Sequence, residues 1–165
     1  MPGARQIPDP GFSGDDGRSD PALRAALASL DADPGGHLEV LVALQTSRLL
    51  VPVVAVLGDV ETDETGLTHD KSSDMATALL TGRDGRQALL AFTGLDTLAA
   101  WRPDARPVPV AAPMAARAAI QEGASALVVD VAGPTTYAVE GELLEGLARG
   151  WTLVRVEGGY GWRQE

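Results

Sequence analysis

The stretch MATALLTGRDGRQALLAFT, residues 75–93, decides the fold. Two largely apolar runs, Met75–Thr81 and Gln87–Thr93, flank Arg83-Asp84-Gly85-Arg86. An Asp-Gly pair between such runs is the strongest short-range hairpin signal, because the favoured tight turns need residues that tolerate positive φ. With Asp84-Gly85 as a two-residue turn, Leu80 faces Leu89, Leu79 faces Leu90 and Thr77 faces Phe92. One face then carries Leu79, Leu90 and Phe92, and the other Ala76, Ala78, Leu80, Leu89 and Ala91. Both faces are apolar, so both need cover, and the alanines leave room for a helix to lie close. The expected fold is α/β: a central mixed sheet of about five to six strands around the hairpin, with helices packed on it.

Upstream, Asp20-Pro21 is a helix start, an Asp N-cap before Pro at the first helical position. Leu23, Leu27 and Leu30 then recur at helical spacing. The same start returns at Asp33-Pro34, opening a second helix with Leu38, Leu41, Val42 and Leu44 inward. Leu49–Leu57 reads as a buried strand, and Pro52 within it implies an edge position or a bulge, since proline gives no N–H to a ladder. Gly58–Asp70 is polar and acidic and reads as an exposed loop.

Downstream, Thr93 is expected to cap a short helix with Asp96 completing a capping box. Leu95, Leu98 and Trp101 form its apolar side and Pro103 stops it. Arg106–Ala111 suggests an edge strand tolerant of Pro107 and Pro109. A helix follows from Pro113 to Glu122, with Gly123 at its C-cap. Ala124–Asp130 and Thr135–Val139 read as strands around a Gly133-Pro134 turn. Gly141–Arg149 reads as a helix burying Leu143, Leu144 and Leu147, and Trp151–Val156 as a final strand. The expected organisation is a disordered tail at 1–19, one domain at 20–157 and a flexible tail at 158–165, because the Pro/Gly/Asp-rich start buries too little to offset its ordering entropy.

Composition removes several functions. The 165 residues include no cysteine and two histidines, His37 and His69, too few soft ligands for a structural zinc site. The absence of cysteine suits a reducing cytoplasm. The start, Met1–Arg5, leads into no apolar core of a signal peptide, and the longest strongly apolar run is too short to span a bilayer. A net charge of −10, with Lys71 the sole lysine, works against binding a phosphate backbone. No nucleic-acid or membrane partner, metal or cofactor is expected. P-loop, dinucleotide, nucleophile-elbow and HExxH strings are absent.

Two polar segments merit chemistry. Asp59, Glu61, Asp63 and Asp70 fall at EF-hand positions, but Glu64 stands where a sharp turn needs glycine, and the flanks read as strands; a solvated loop is the better reading. Lys71-Ser72-Ser73-Asp74 places a lysine and a serine on one strand face, the pairing a serine nucleophile needs. Asp70 and Asp74 keep that lysine protonated and no oxyanion hole accompanies it. Lys71, Ser73 and Asp74 are therefore read as a partner or ligand surface, together with the hairpin-tip Arg83 and Arg86. Trp162 joins them, since tail aromatics anchor interfaces or fold back on their own domain. Trp151, which begins a strand, is expected to fold back.

The block from Lys71-Ser72-Ser73-Asp74-Met75 through Phe92-Thr93-Gly94, with Trp101-Arg102-Pro103 behind it, resembles the SseB N-terminal-domain family, in particular its short actinobacterial-type members. Leu49–Leu57, Pro107-Val108-Pro109-Val110 and Leu127-Val128-Val129 belong to the same pattern, which covers roughly residues 22–150. Family members often carry Asn-Pro after the last of these strands; here Asp130 is followed by Val131-Ala132-Gly133-Pro134. The resemblance implies an α/β cytoplasmic protein and supplies no catalytic residues. The function expected is a non-enzymatic protein-binding or regulatory domain with a protein partner. The alternative is a small-ligand binder or enzyme using a carboxylate, serine and arginine cleft.

Overall fold

The computed structural model describes residues 12–56, 61–62, 68–69 and 74–164. Asp20 caps α1 (Pro21–Ala32), its carboxylate accepting the Ala22 and Leu23 N–H groups at 2.8 and 3.1 Å. Asp33 caps a single 3₁₀ turn, Pro34–Gly36, before α2 (His37–Leu44) begins. Leu23, Leu27, Val40, Leu41 and Leu44 are buried, so the helical pair turns one apolar side into the domain. Each such leucine contributes about 1.5–3 kcal/mol by leaving water.

The strands are β1 (Arg48–Val56), β2 (Glu61–Thr62), β3 (Thr68–His69), β4 (Asp74–Thr77), β5 (Leu79–Thr81), β6 (Gln87–Ala91), β7 (Arg106–Ala111), β8 (Ala126–Val129), β9 (Tyr137–Glu140), β10 (Thr152–Val156) and β11 (Gly159–Arg163). Between them lie α3 (Leu95–Trp101), α4 (Ala112–Gln121) and α5 (Gly141–Ala148). The mixed α/β class holds, but the expected single central sheet is divided. One sheet has the order β4-β1-β7 and the other β5-β6-β8-β9, with β10-β11 and β2-β3 as small hairpins.

The division runs through the hairpin itself. Met75–Thr81 is not one strand: it breaks at Ala78, its first half pairing with β1 and its second with β6. Strand β1 also meets the end of β6 directly, Leu50 and Phe92 exchanging hydrogen bonds at 2.7 and 2.8 Å. Pro52 sits between that contact and the β4 pairing that starts at Val53. It is neither at an edge nor in a bulge; it lies in the middle strand of its sheet, where the neighbour changes from β6 to β4. A residue without an N–H fits a position that falls between two pairing partners.

The register also differs from expectation. Leu79 faces Leu89 and Leu80 faces Ala88, one residue away from the two-residue-turn register. The Gly82 N–H donates to the Arg86 carbonyl at 2.8 Å, which closes a three-residue loop, Arg83-Asp84-Gly85. Gly85, at φ +82°, takes the left-handed position such loops require. Leu89 and Ala91 of β6, with Leu127 and Val129 of β8, pack toward the large core beneath α1, α2, α4 and α5. Leu90 and Phe92 face the other way into a smaller core with Leu50, Leu98 and Ala105. Both faces of β6 are covered as expected, whereas Leu79 and Leu80 on β5 stay largely exposed.

Both chain ends depart from the tails expected. Residues 12–19 pack against the domain: the Arg48 guanidinium pairs with Asp15 at 2.6 Å and donates to the Arg18 carbonyl, and the Leu95 N–H donates to the Gly17 carbonyl. Residues 1–11 lie outside the described residues. At the other end β11 pairs with β10 throughout its length, so 159–163 form a strand in place of a flexible tail. Of the loop expected at 58–70, Glu61 and Thr62 pair with His69 and Thr68, and the rest lies outside the described residues.

Candidate functional site

Strands β6 and β8 are parallel, with Ala91 beside Val129. The chain leaves each at the same end of the sheet, through Thr93 and through Asp130. In α/β folds the crevice beyond the carboxyl ends of parallel strands is where ligands sit. Here that crevice is a pocket of about 290 Å³. Its walls are Leu27 and Ala28 from α1, Thr97 from α3, and Pro134 and Thr135 from the β8–β9 turn. Arg24, Asp31 and Asp96 also line it, and Thr93 and Asp130 form its buried end.

Asp130 has φ +56°, the single non-glycine residue in the left-handed region among the described residues. Short polar side chains tolerate that region because they bond locally. Its carboxylate accepts the Thr93 N–H at 2.8 Å and the Thr93 hydroxyl at 2.7 Å. The Thr93 hydrogen being committed to Asp130, Ser19 is the donor in the Ser19–Thr93 hydroxyl contact of 3.0 Å. Arg24 in turn donates to Ser19 and forms an ion pair with Asp96. A continuous polar chain thus runs from exposed Asp96 and Arg24, through Ser19 and Thr93, to buried Asp130. The Arg24 guanidinium holds the Asp96 carboxyl below its ordinary range.

The surrounding turns are built to present these groups. The Asp130 N–H donates to the Ala91 carbonyl at 3.0 Å, tying the two strand ends together, and Thr136 donates its hydroxyl to the Asp130 carbonyl at 3.1 Å. Thr135, almost fully buried, donates to Asp31 at 2.8 Å. Gly133 passes close over the site: a Cβ there would lie 3.1 Å from that of Asp130 and 3.3 Å from the Thr97 methyl. Thr93 does not cap α3 as the capping-box reading expects. Gly94 holds that position, and the Thr93 side chain is spent on Asp130.

The residues singled out by sequence fall elsewhere. Lys71 and Ser73 lie outside the described residues, and Asp74 opens β4 opposite Val56. Arg83 and Arg86 are exposed at the hairpin tip, where Arg86 pairs with Asp84 at 2.6 Å and reaches Glu140 at 4.0 Å. Trp162 folds back: a Cβ on Gly146 of α5 would meet its ring at 2.6–2.8 Å, and it stands edge-on to Trp151 with ring centroids 6.4 Å apart. Arg83, Arg86 and Trp162 do not line the crevice. Sequence reasoning missed Thr93 as a buried ligand of Asp130, since a threonine before a helix is ordinarily a cap. The signal present was Asp130 itself, a carboxylate ending the apolar run Leu127-Val128-Val129. Among the described residues no cluster of His, Cys, Asp and Glu could hold a metal ion, and no helix is long and apolar enough to cross a membrane.

Fold and crevice together define a mixed α/β domain whose candidate site lies beyond the carboxyl ends of two parallel strands. The chain belongs to the SseB family, matching the SseB protein N-terminal domain over residues 23–146. The match begins in α1 and ends in α5, and so spans every residue from Arg24 to Thr135 that lines the crevice. No curated protein and no solved structure matches the chain.

Proposed function

We propose that this SseB domain is a non-enzymatic binding module that takes a small polar molecule into the crevice over Asp130. The observation that carries the reading is the pocket's placement: it opens at the strand ends where α/β folds bind ligands, with a strained, buried carboxylate at its base. Its volume suits a molecule at the small end of the ligand range. Its lining offers carboxylates and hydroxyls, with one guanidinium already paired, so a ligand rich in hydrogen-bond donors is favoured. The lining contains neither histidine nor lysine, and the Asp130 carboxylate is already bonded by both donors of Thr93, which supports binding over catalysis. A cysteine-free composition supports a reducing, cytoplasmic setting. The asparagine-free, alanine- and arginine-rich sequence supports an actinobacterial-type member.

Thermal denaturation against a panel of amino acids, amines, sugars and nucleosides tests this reading. A ligand present at 100 times its dissociation constant stabilises by about 2.7 kcal/mol, a rise of roughly 5–10 °C for a domain of this size. Ala28→Trp, on the solvent side of α1, fills the crevice and should remove the rise. A panel without any shift, or a shift that survives Ala28→Trp, defeats the reading. The protein-binding alternative rests on a different face of the molecule, the open edge of β5.

A further inference from the structure

We propose that β5 is a dimerisation edge, through which two copies of this chain pair antiparallel about a two-fold axis centred on Leu79. Strand β5 ends its sheet, with β6 on one side and no strand among the described residues on the other. The Leu90 N–H bonds the Ala78 carbonyl and the Gly82 N–H bonds the Arg86 carbonyl, so even-numbered residues turn their backbone groups toward β6. Leu79 and Thr81 therefore turn theirs outward, away from the sheet. Apart from its shortness, the strand carries no charge or proline to protect the edge. Thr77-Ala78-Leu79-Leu80-Thr81 holds no charge and no proline, and Leu79 and Leu80 are 36% and 44% exposed.

Strand β7, an edge of the other sheet, shows what protection looks like in this chain. Leu50 spends its N–H and carbonyl on Phe92, so Pro109 beside it points its nitrogen outward from β7, and Pro107 does the same two residues away. Both prolines delete outward donors, and β7 cannot extend its sheet. One edge is closed twice over while the other is left open and apolar.

The choice of a second copy follows from self-complementarity. Centred on Leu79, the two-fold places Leu79 against its counterpart and Thr77 against Thr81 at the hydrogen-bonded positions. Ala78 falls opposite Leu80 at the closer, non-hydrogen-bonded positions, so a small side chain meets a large one where space is least. The same patch serves both subunits, as a closed two-fold contact requires. The two four-stranded sheets would become one continuous sheet of eight strands, the sum of the two β5-β6-β8-β9 sets.

Sedimentation of the full chain over a concentration series tests this. The expected species is twice the 17.1 kDa chain mass, dissociating on dilution. Leu79→Pro, which copies the β7 device, and Leu80→Lys, which charges the seam, should each give the 17.1 kDa monomer. Ile120→Lys on exposed α4 should leave the dimer intact. Circular dichroism reports whether each variant folds, and Leu80→Lys carries the test if Leu79→Pro does not. A wild-type chain that stays monomeric up to roughly 1 mM overturns the proposal. So does a dimer that survives a folded Leu80→Lys, or a monomer whose edge is instead bound by a peptide strand.

Discussion

The Asp130 carboxylate takes both donors of Thr93, the backbone N–H on one oxygen and the hydroxyl on the other, across the ends of two parallel strands. Both residues are buried, at 3% and 2% exposed, at the inner end of the crevice. Asp130→Ala should leave two buried donors unmet and hold the left-handed backbone without the carboxylate's bonds to Thr93, costing roughly 2–4 kcal/mol. Asp130→Asn keeps an acceptor for the N–H and tolerates the backbone, so about 1 kcal/mol is expected. Urea midpoints measure both; equal losses for the two substitutions would show that the carboxylate is not what the strand ends depend on.

Arg48 and Asp15 form the clasp of residues 12–19, their side chains only 12% and 20% exposed. Burial pushes the Asp15 carboxyl up, but the Gly17 N–H and the Arg48 guanidinium outweigh it, and its pKa lies below the ordinary 3.8. A lowered carboxyl pKa stabilises fully above the unfolded value and loses that contribution as pH falls through the folded one. The clasp should therefore hold at pH 5 and loosen below about 3.8. The Leu95 amide, bonded to the Gly17 carbonyl, reports it by hydrogen exchange corrected for intrinsic rate. Arg48→Met should lose this protection at every pH and cost roughly 1–3 kcal/mol; unchanged Leu95 exchange in that variant rules the clasp out.

Gly146 of α5 lies under the Trp162 ring. Gly→Ala within a helix normally gains up to about 1 kcal/mol. Here the new Cβ would stand 2.6–2.8 Å from a rigid ring, so Gly146→Ala should instead destabilise by roughly 1–3 kcal/mol. In a Trp162→Ala background the same change should turn neutral or favourable. Additive losses in this double-mutant cycle would mean that β11 does not rest on α5.

Tyr137, 4% exposed, donates its hydroxyl to the His37 carbonyl at 2.8 Å, and burial pushes its pKa up to about 12. A raised pKa stabilises fully below the unfolded value of 10 and is lost as pH rises through the folded value of about 12. The melting temperature should thus fall between pH 10 and 12. Tyr137→Phe should cost about 1 kcal/mol at neutral pH through the unpaired carbonyl and flatten the alkaline fall. Melting curves from pH 8 upward decide it, and an identical alkaline limb in both proteins would assign the fall to another group.

Local chemistry explains how much of this was legible. The caps at Asp20 and Asp33, the hairpin around Gly85 and the helix ends at Gly123 and Gly150 are written in residues whose backbone preferences hold in any context. The division of the sheet was not legible, because Ala78 looks like any strand residue and only its two different neighbours reveal the break. The register was off by one because Asp84-Gly85 fits a two-residue turn as well as the end of a three-residue loop. The crevice was the least readable part. Arg24, Ser19, Thr93 and Asp130 are scattered along the chain, and what joins them is the parallel pairing of β6 with β8, a long-range contact that periodicity does not encode. Trp162 was open to either fate, and the bare helix face at Gly146 settled it.

Between its paired neighbours β6 and β8 the chain leaves one sheet, supplies β7 to the other, and returns through α4. The two sheets overlap along the chain: β4-β1-β7 draws on residues 48 to 111, and β5-β6-β8-β9 on 79 to 140. During synthesis the β5-β6 hairpin can form early, but the four-stranded sheet is complete only once Glu140 has emerged. A cut between α3 and β7 leaves both sheets incomplete, so the two fragments should each be unfolded alone, yet able to recover structure when mixed. That makes the α3–β7 connection a natural place to divide the protein into a complementing pair.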